Sequence, residues 1–153
     1  MGTITQAIVI KAPVEQVFAY HGDPRTALRW SANVQEIKDL SGDPLQVGTT
    51  WVAVGRVPPL PVTLTLRFRV LECVPPHLLR LAMEGLASAT VTNRYTALDT
   101  STTRLETTSE YRPPATFWGR AVDDGLVQRV LTRDVRKSME RLKRAIEEDA
   151  RRG

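Results

Sequence analysis

The sequence is poor in the residues that form covalent cross-links and metal sites. Its 153 residues include one cysteine and two histidines. A lone cysteine, Cys73, cannot form a disulfide within the chain, and such sparse use is typical of a reducing compartment, so we expect a cytoplasmic protein. His21, His77 and Cys73 share no spacing typical of metal ligands. We therefore expect no metal and no other cofactor.

Long apolar runs are missing as well. No run approaches the roughly 20 residues that a membrane-spanning helix needs, and the chain does not open with the charged and apolar segments of a secretory signal. We therefore expect no transmembrane segment.

The excess of positive charge is small, at +4. Most of it comes from basic residues interleaved with acidic ones near the C-terminus, a pattern that favours a solvated helix face over a basic binding patch. The few aromatic residues do not alternate with basic ones on a predicted strand, as they do in single-strand binders, so no nucleic-acid partner is expected. The nucleophile elbow, the phosphate-binding glycine loop and the dinucleotide fingerprint are also absent.

The strongest positive signal is a predicted amphipathic helix from Phe117 to about Asp149. Thr116 is placed to cap its N-terminus, and Pro113-Pro114 would end the preceding element. Its apolar residues return every three or four positions, with charged residues between them. The apolar series is Phe117, Trp118, Ala121, Val122, Leu126, Val127, Val130, Leu131, Val135, Met139, Leu142 and Ile146.

The residues upstream of this helix predict a sheet that could cover its apolar face. A β-branched strand comes first, then two short helices separated by Gly22-Asp23-Pro24, and then six strands bounded by proline, glycine and aspartate. Strands in succession without intervening helices favour an antiparallel sheet buried on one face. We predict a single α+β domain over 1–153, with strands at 3–11, 32–40, 47–54, 62–73, 77–84, 88–98 and 103–112.

Period-two alternation predicts which side chains face the helix. Charged residues such as Arg67, Glu84, Arg94 and Glu106 fall on the opposite face, since several charges cannot be buried cheaply. The inward face is apolar on most strands but polar on the last two. These polar groups either satisfy one another or form the polar end of a ligand pocket; the group is Asn93, Tyr95, Thr107, Ser109 and Tyr111.

An ordered set of short motifs runs along the whole chain: Ala12-Pro13, Val17-Phe18, Asp23-Pro24, Trp30, Val34, Val47-Gly48-Thr49-Thr50-Trp51 and Leu142-Lys143-Arg144-Ala145-Ile146-Glu147. This set resembles the SRPBCC superfamily, which includes START-like, Bet v 1-like and polyketide cyclase/dehydrase proteins.

The resemblance implies a helix-grip fold, in which a seven-stranded antiparallel sheet wraps around the C-terminal helix and encloses an apolar cavity. Members bind lipids, sterols, quinones or polyketides, and a minority are aromatase/cyclases. Carried onto this chain, the cavity mouth would lie near residues 57–61 and 85–87 and the start of the long helix. Phe117, Trp118 and Leu126 would then be candidate gate residues.

Our leading hypothesis is a monomeric or homodimeric protein that binds or transports a hydrophobic or amphipathic small molecule. Its cavity would have an apolar wall and a few orienting polar groups. The apolar wall is predicted to comprise Trp51, Leu64, Leu66, Phe68, Leu79, Leu81 and Met83, and the polar groups Asn93, Tyr95, Ser109 and Tyr111.

Two alternatives remain open. The first is a polyketide cyclase/dehydrase-type enzyme that uses Tyr95 and Tyr111. We expect no inward carboxylate or histidine beside these two tyrosines, and we interpret His21 as a surface or loop residue. An unshifted tyrosine, with a pKa of about 10, is a poor base at neutral pH. The second alternative is a protein or ribosome interaction module that uses the basic helix face, including Arg133 and Arg136.

Overall fold

The computed structural model describes residues 2–56, 63–85, 88–112 and 124–152, with side chains from 128 onward in the last range. The described residues form seven strands and three α-helices in the predicted order. A 3-10 turn, Pro24–Thr26, joins the first two helices. The helices are α1 (Val14–Gly22), α2 (Ala27–Trp30) and α3 (Asp124–Arg152), and the strands are β1 (Gly2–Ile10), β2 (Val34–Lys38), β3 (Thr50–Arg56), β4 (Thr63–Val74), β5 (Leu78–Glu84), β6 (Ser88–Asp99) and β7 (Thr102–Arg112).

The strands form one antiparallel sheet in the order β1-β7-β6-β5-β4-β3-β2. Strands that follow each other in sequence are neighbours from β2 to β7, and β1 closes the β7 edge. On the outer face, Arg67 lies opposite Glu84 and Arg94 opposite Glu106. The predicted α+β helix-grip fold and its charged outer face are therefore confirmed.

Two strand boundaries differ from the prediction. The strand predicted to begin at Val47 begins at Thr50, because Gly48 has a φ of +91° and Thr49 donates a side-chain hydrogen bond to the carbonyl of Asp43 (2.6 Å). Val47 is 65% exposed in this turn. The predicted strand 32–40 is shortened to β2, which carries a bulge between Val34 and Glu36.

The long helix was predicted to begin at Phe117, but residues 113–123, with the expected cap Thr116, lie outside the described residues. The described part continues to Arg152. In its C-terminal half, Met139, Leu142 and Ile146 are buried against Ile10, Val17 and other residues of β1 and α1. Each such side chain contributes about 1.5–3 kcal/mol by leaving water.

Polar contacts hold α3 across the concave face of the sheet. On the β1 side, Gln6 Nε2 donates to the carbonyl of Thr132 (2.8 Å), and Lys143 Nζ donates to the carbonyl of Val9 (2.9 Å). On the opposite side, the backbone N–H of Ala32 donates to Ser138 Oγ (2.9 Å). None of the helices in the described ranges is long and apolar enough to cross a membrane.

Candidate functional site

A cavity of about 270 Å³ lies between the concave face of the sheet, α3 and the segment from the end of α1 to β2. Its wall combines a large apolar surface with a smaller polar one. The apolar side chains include Trp30, Trp51, Phe68, Leu79, Leu81, Met83, Val91, Leu131, Val135 and Leu142, and the polar ones are His21, Ser31, Asn33, Asn93, Thr107, Ser109, Asp134 and Ser138.

A larger depression, of about 500 Å³, lies on another face of α3. Its wall, in the described part of the chain, consists of Gln128, Arg129, Thr132, Arg133 and Arg136. One helix face provides all of these side chains, and none is apolar. Small-molecule sites are usually concave and mostly apolar, so we take the smaller, two-layered cavity as the candidate site.

Most of the predicted apolar wall lines this cavity. Trp51 of β3 stacks on Phe68 of β4, with ring centroids 5.4 Å apart and planes 9° apart, and the pair forms one side of the cavity. Leu79, Leu81 and Met83 line the cavity from alternate positions of β5. Alternation along a strand thus places these residues where the sequence predicted.

Leu64 and Leu66 are half-buried on the same face of β4 but are not part of the cavity wall. β4 is 12 residues long, and its N-terminal end extends past the cavity. There Leu66 lies beside Gly85, so that a Cβ at Gly85 would come within 2.6 Å of Leu66 Cδ2. These two leucines therefore do not line the cavity described here, and their part in ligand binding stays a prediction.

Two of the predicted polar residues, Asn93 and Ser109, line the cavity from β6 and β7. Asn93 is 2% exposed, and its Oδ1 accepts a hydrogen bond from Thr107 Oγ1 (2.8 Å). The pair Asn93 and Thr107 is therefore satisfied internally and also forms part of the cavity wall. The orientation of a ligand by these groups stays a prediction.

Tyr95 lies behind the cavity wall, contrary to the prediction. It is 2% exposed and packs edge-on against Phe18, with centroids 5.0 Å apart. Its hydroxyl is 2.7 Å from Nδ1 of His21, which is the side chain that reaches the cavity. Tyr95 therefore supports a cavity residue and is not itself part of the described wall.

His21 was interpreted as a surface or loop residue, and this was wrong. It is half-buried in the last turn of α1, and its ring contacts that of Trp30 at a centroid distance of 5.0 Å. The signal was present in the sequence, since His21 follows Val14, Val17 and Phe18 at helical spacing on the buried face of α1.

Burial controls the charge of this pair. Desolvation lowers the pKa of His21 to about 4, because the charged imidazolium loses its hydration. Burial, with a smaller contribution from Cys73, raises the pKa of Tyr95. Both side chains are neutral at neutral pH, so their hydrogen bond joins two uncharged groups.

We expected no inward carboxylate or histidine beside Tyr95 and Tyr111, and the histidine part was wrong, because His21 is hydrogen-bonded to Tyr95. A carboxylate also faces the cavity, from α3. Asp134 of α3 is 6% exposed and lines the cavity. Its Oδ1 accepts a hydrogen bond from Arg133 Nε (3.2 Å), whereas Oδ2 is buried without a hydrogen-bond partner among the described residues. Asp134 lies within the predicted apolar series, between Leu131 and Val135. Apolar residues alone do not reveal this position, because Asp134 lies on the same helix face as Leu131, Val135 and Ser138.

The remaining predicted site residues are not in the described wall. The ring of Tyr111 lies directly over Gly2, its partner on β1, so closely that a Cβ at Gly2 would overlap it. The side chains of Phe117, Trp118 and Leu126 lie outside the described residues. The same is true of loop 57–61 and of residues 86 and 87 in the predicted mouth.

Solved structures with similar folds cover nearly the whole chain. A conserved protein from Geobacillus kaustophilus has a TM-score of 0.78 and 15% identity, covering 96% of this chain and 96% of that chain. TTHA0849 from Thermus thermophilus has a TM-score of 0.77 and 16% identity, covering 95% and 97%. The Zhui aromatase/cyclase from a Streptomyces species has a TM-score of 0.70 and 14% identity, covering 99% and 94%. At such identities the likeness concerns the fold alone.

The sequence itself matches one family profile. No curated protein sequence matches the chain. The profile of the family described as "Polyketide cyclase / dehydrase and lipid transport" matches residues 1–147. Together with the seven-stranded sheet around a C-terminal helix, this match shows that the chain belongs to the polyketide cyclase/dehydrase and lipid transport family.

Proposed function

We propose that this protein binds a hydrophobic or amphipathic small molecule in the cavity between the sheet and α3. The observation that carries the proposal is the composition of the cavity wall. Apolar side chains from both layers, such as Phe68, Leu81 and Val135, surround the space, and polar groups occupy a smaller part of the wall. Mostly apolar pockets with a few convergent polar groups are typical small-molecule sites.

The size of the cavity narrows the class of ligand. Drug-sized ligands usually occupy about 300–1,000 Å³, and this cavity is at the lower end, at about 270 Å³. A compact ring system or a single acyl segment fits this volume better than a whole phospholipid. Removing apolar surface from water at about 25 cal/mol per Å² supplies the affinity, and the polar groups orient the ligand.

A substitution in the wall tests the site directly. Leu81→Trp adds a large ring at the centre of the β5 wall, so we expect it to fill the cavity and abolish ligand uptake while the fold is retained. Leu98→Trp is the matched control, since Leu98 is 52% exposed at the end of β6. Native mass spectrometry of each purified protein, followed by organic extraction, measures the bound molecule. Circular dichroism checks the fold.

A stoichiometric apolar molecule on the wild type and on Leu98→Trp, but not on Leu81→Trp, would support the proposal. Equal occupancy of the two variants would contradict this site. If the wild type purifies without a ligand, titration with 2-naphthol, a compact amphipathic probe, replaces extraction. Absence of binding across such ring and acyl probes would contradict the proposed function.

A second candidate function is a cyclase or dehydratase that uses the same cavity. The observation in its favour is that two groups able to exchange protons, His21 and Asp134, both line the wall. Tyr95 is less suited than predicted, because burial raises its pKa and its hydroxyl faces His21. Turnover of a poly-β-ketone substrate that is lost in both His21→Asn and Asp134→Asn would support this function. No turnover across a panel of such substrates would contradict it.

A further inference from the structure

Asp134 leaves an unsatisfied acceptor in the cavity wall. Its side chain is 8% exposed, and the only hydrogen bond to its carboxylate from a described residue is the one from Arg133 to Oδ1. Oδ2 is buried and has no hydrogen-bond partner in the part of the chain that the structure describes. Nearly all buried polar atoms in folded proteins are hydrogen-bonded, and an unpaired one is costly. An acceptor left open on the wall of a cavity is placed to receive a donor from a bound molecule.

Ser138 provides a complementary group on the same face of α3. It follows Asp134 by four residues, which places the two side chains one above the other on a helix, and both line the cavity. Among the described residues, Ser138 Oγ makes one hydrogen bond, in which it accepts from the N–H of Ala32 (2.9 Å). A hydroxyl has one donor and two acceptor sites, so the hydrogen of Ser138 is available to an acceptor in the cavity.

We infer that Asp134 and Ser138 together bind a hydroxyl group of the cavity's ligand, and so select a hydroxylated apolar molecule, a phenol or an alcohol. The ligand O–H donates to Asp134 Oδ2, and its oxygen accepts from Ser138. An ammonium group could only donate, and an ether or ketone could only accept. Leu131 and Val135, on the same helix, then contact the apolar body beside the hydroxyl. This inference rests on the proposed function and specifies its ligand.

Three probes of nearly equal size test the assignment: 2-naphthol, 2-naphthylamine and 2-methylnaphthalene. All are uncharged at pH 7, and they differ only in the group attached to the ring. Calorimetric or fluorescence titration measures each dissociation constant. For the wild type we expect 2-naphthol to bind at least tenfold more tightly than 2-methylnaphthalene and several-fold more tightly than 2-naphthylamine, because only the hydroxyl both donates and accepts well.

Variants of Asp134 test whether this residue causes the preference for 2-naphthol. Asp134→Leu should abolish or reverse the preference for 2-naphthol over 2-methylnaphthalene, since the acceptor is replaced by an apolar side chain. Asp134→Asn, which keeps the shape of the side chain, should reduce the preference for 2-naphthol. It replaces Asp134→Leu in the experiment if the leucine variant does not fold. The matched control is Glu140→Leu, an exposed carboxylate on the same helix, which should leave the preference unchanged.

Several outcomes would overturn the assignment. These are equal or tighter binding of 2-methylnaphthalene by the wild type, tighter binding of 2-naphthylamine than of 2-naphthol, or a preference that survives in both Asp134 variants. Binding of all three probes without preference would overturn the hydroxyl site alone and leave the proposed function standing. Failure of every probe to bind the wild type would overturn both.

Discussion

His21 and Tyr95 form a partly buried hydrogen bond that connects the cavity wall to the core. The two residues come from α1 and β6, and the bond joins Nδ1 to the phenolic oxygen at 2.7 Å. His21 faces the cavity on one side, and Tyr95 packs on Phe18 on the other. A change at either residue therefore affects folding stability as well as the shape of the site.

The lowered pKa of His21 predicts a loss of stability in mild acid. The pKa is about 4 in the folded protein and 6.5 in the unfolded chain, so the unfolded state binds more protons between these values. Stability contributed by neutral His21 is complete above about pH 6.5 and is lost as the pH falls towards 4. The expected loss is on the order of 3 kcal/mol. Urea unfolding at a series of pH values measures it.

The second histidine supplies the control for this pH dependence. His77 is exposed, so His77→Gln should keep the wild-type slope, whereas His21→Gln should flatten it. The comparison is best made between pH 5 and 6.5, where most carboxylates are already ionised in both states. A slope that is the same in wild type and His21→Gln would contradict the assignment.

Removal of the Tyr95 hydroxyl should lower the free energy of unfolding, although it deletes a single oxygen atom. Tyr95→Phe leaves Nδ1 of the half-buried His21 without its partner, and we expect a loss of about 1–3 kcal/mol in the free energy of unfolding. Tyr20→Phe is the control, because Tyr20 is a half-buried tyrosine whose hydroxyl forms no hydrogen bond with another described residue. Urea unfolding measures both variants. Similar losses in the free energy of unfolding would contradict a stabilising role of the His21–Tyr95 hydrogen bond.

At the scale of elements, Glu147 attaches the C-terminal turns of α3 to the end of β1. Its Oε2 accepts hydrogen bonds from the backbone N–H of Lys11 (2.9 Å) and from Lys143 Nζ (2.6 Å). Desolvation raises the pKa of Glu147, but the hydrogen bonds from Lys143 and Lys11 outweigh it, and the pKa is lowered overall. The carboxylate is thus stabilised in its charged form.

Glu147→Gln should loosen this attachment. We expect a loss of about 1 kcal/mol at neutral pH, because both hydrogen bonds to the carboxylate are weakened in a partly solvated site. The wild type should lose the same contribution as the pH falls below the unfolded pKa of about 4.5, since a lowered folded pKa stabilises only above that value. Glu148→Gln, at the exposed neighbouring position, should be neutral in the same unfolding experiment. Equal effects of the two substitutions would contradict this role.

At the scale of the whole molecule, a ligand bound in the cavity should raise the free energy of unfolding. A ligand that binds only the folded state stabilises it by about 2.7 kcal/mol at 100 times its dissociation constant. For a chain of about this length, we expect 2-naphthol at that concentration to raise Tm by about 5–10 °C. Leu81→Trp should show no such rise in differential scanning calorimetry, and Leu98→Trp should behave as the wild type. A rise of equal size in Leu81→Trp would place the binding site elsewhere.

Strand alternation predicted the sheet side of the cavity well. Leu79, Leu81 and Met83 face the cavity because every second residue of a strand points to the same side, and the charges of Arg80 and Glu84 exclude the other orientation. The same rule could not tell how far along β4 the cavity extends. Leu64 and Leu66 share the inward face of β4 yet are not part of the described wall, because the extent of a cavity depends on what packs over the sheet and not on alternation.

The sequence by itself determined the type and order of the elements, the buried face of each strand and the family, because these follow from local periodicity and ordered motifs. Only the tertiary structure brought His21 to Tyr95, 74 residues away, and placed Asp134 and Ser138 in the cavity wall, with Asp134 Oδ2 unpaired among the described residues. Desolvation and hydrogen bonding depend on what packs around a group after folding. For that reason the polar residues of the site were the least predictable part of the chain.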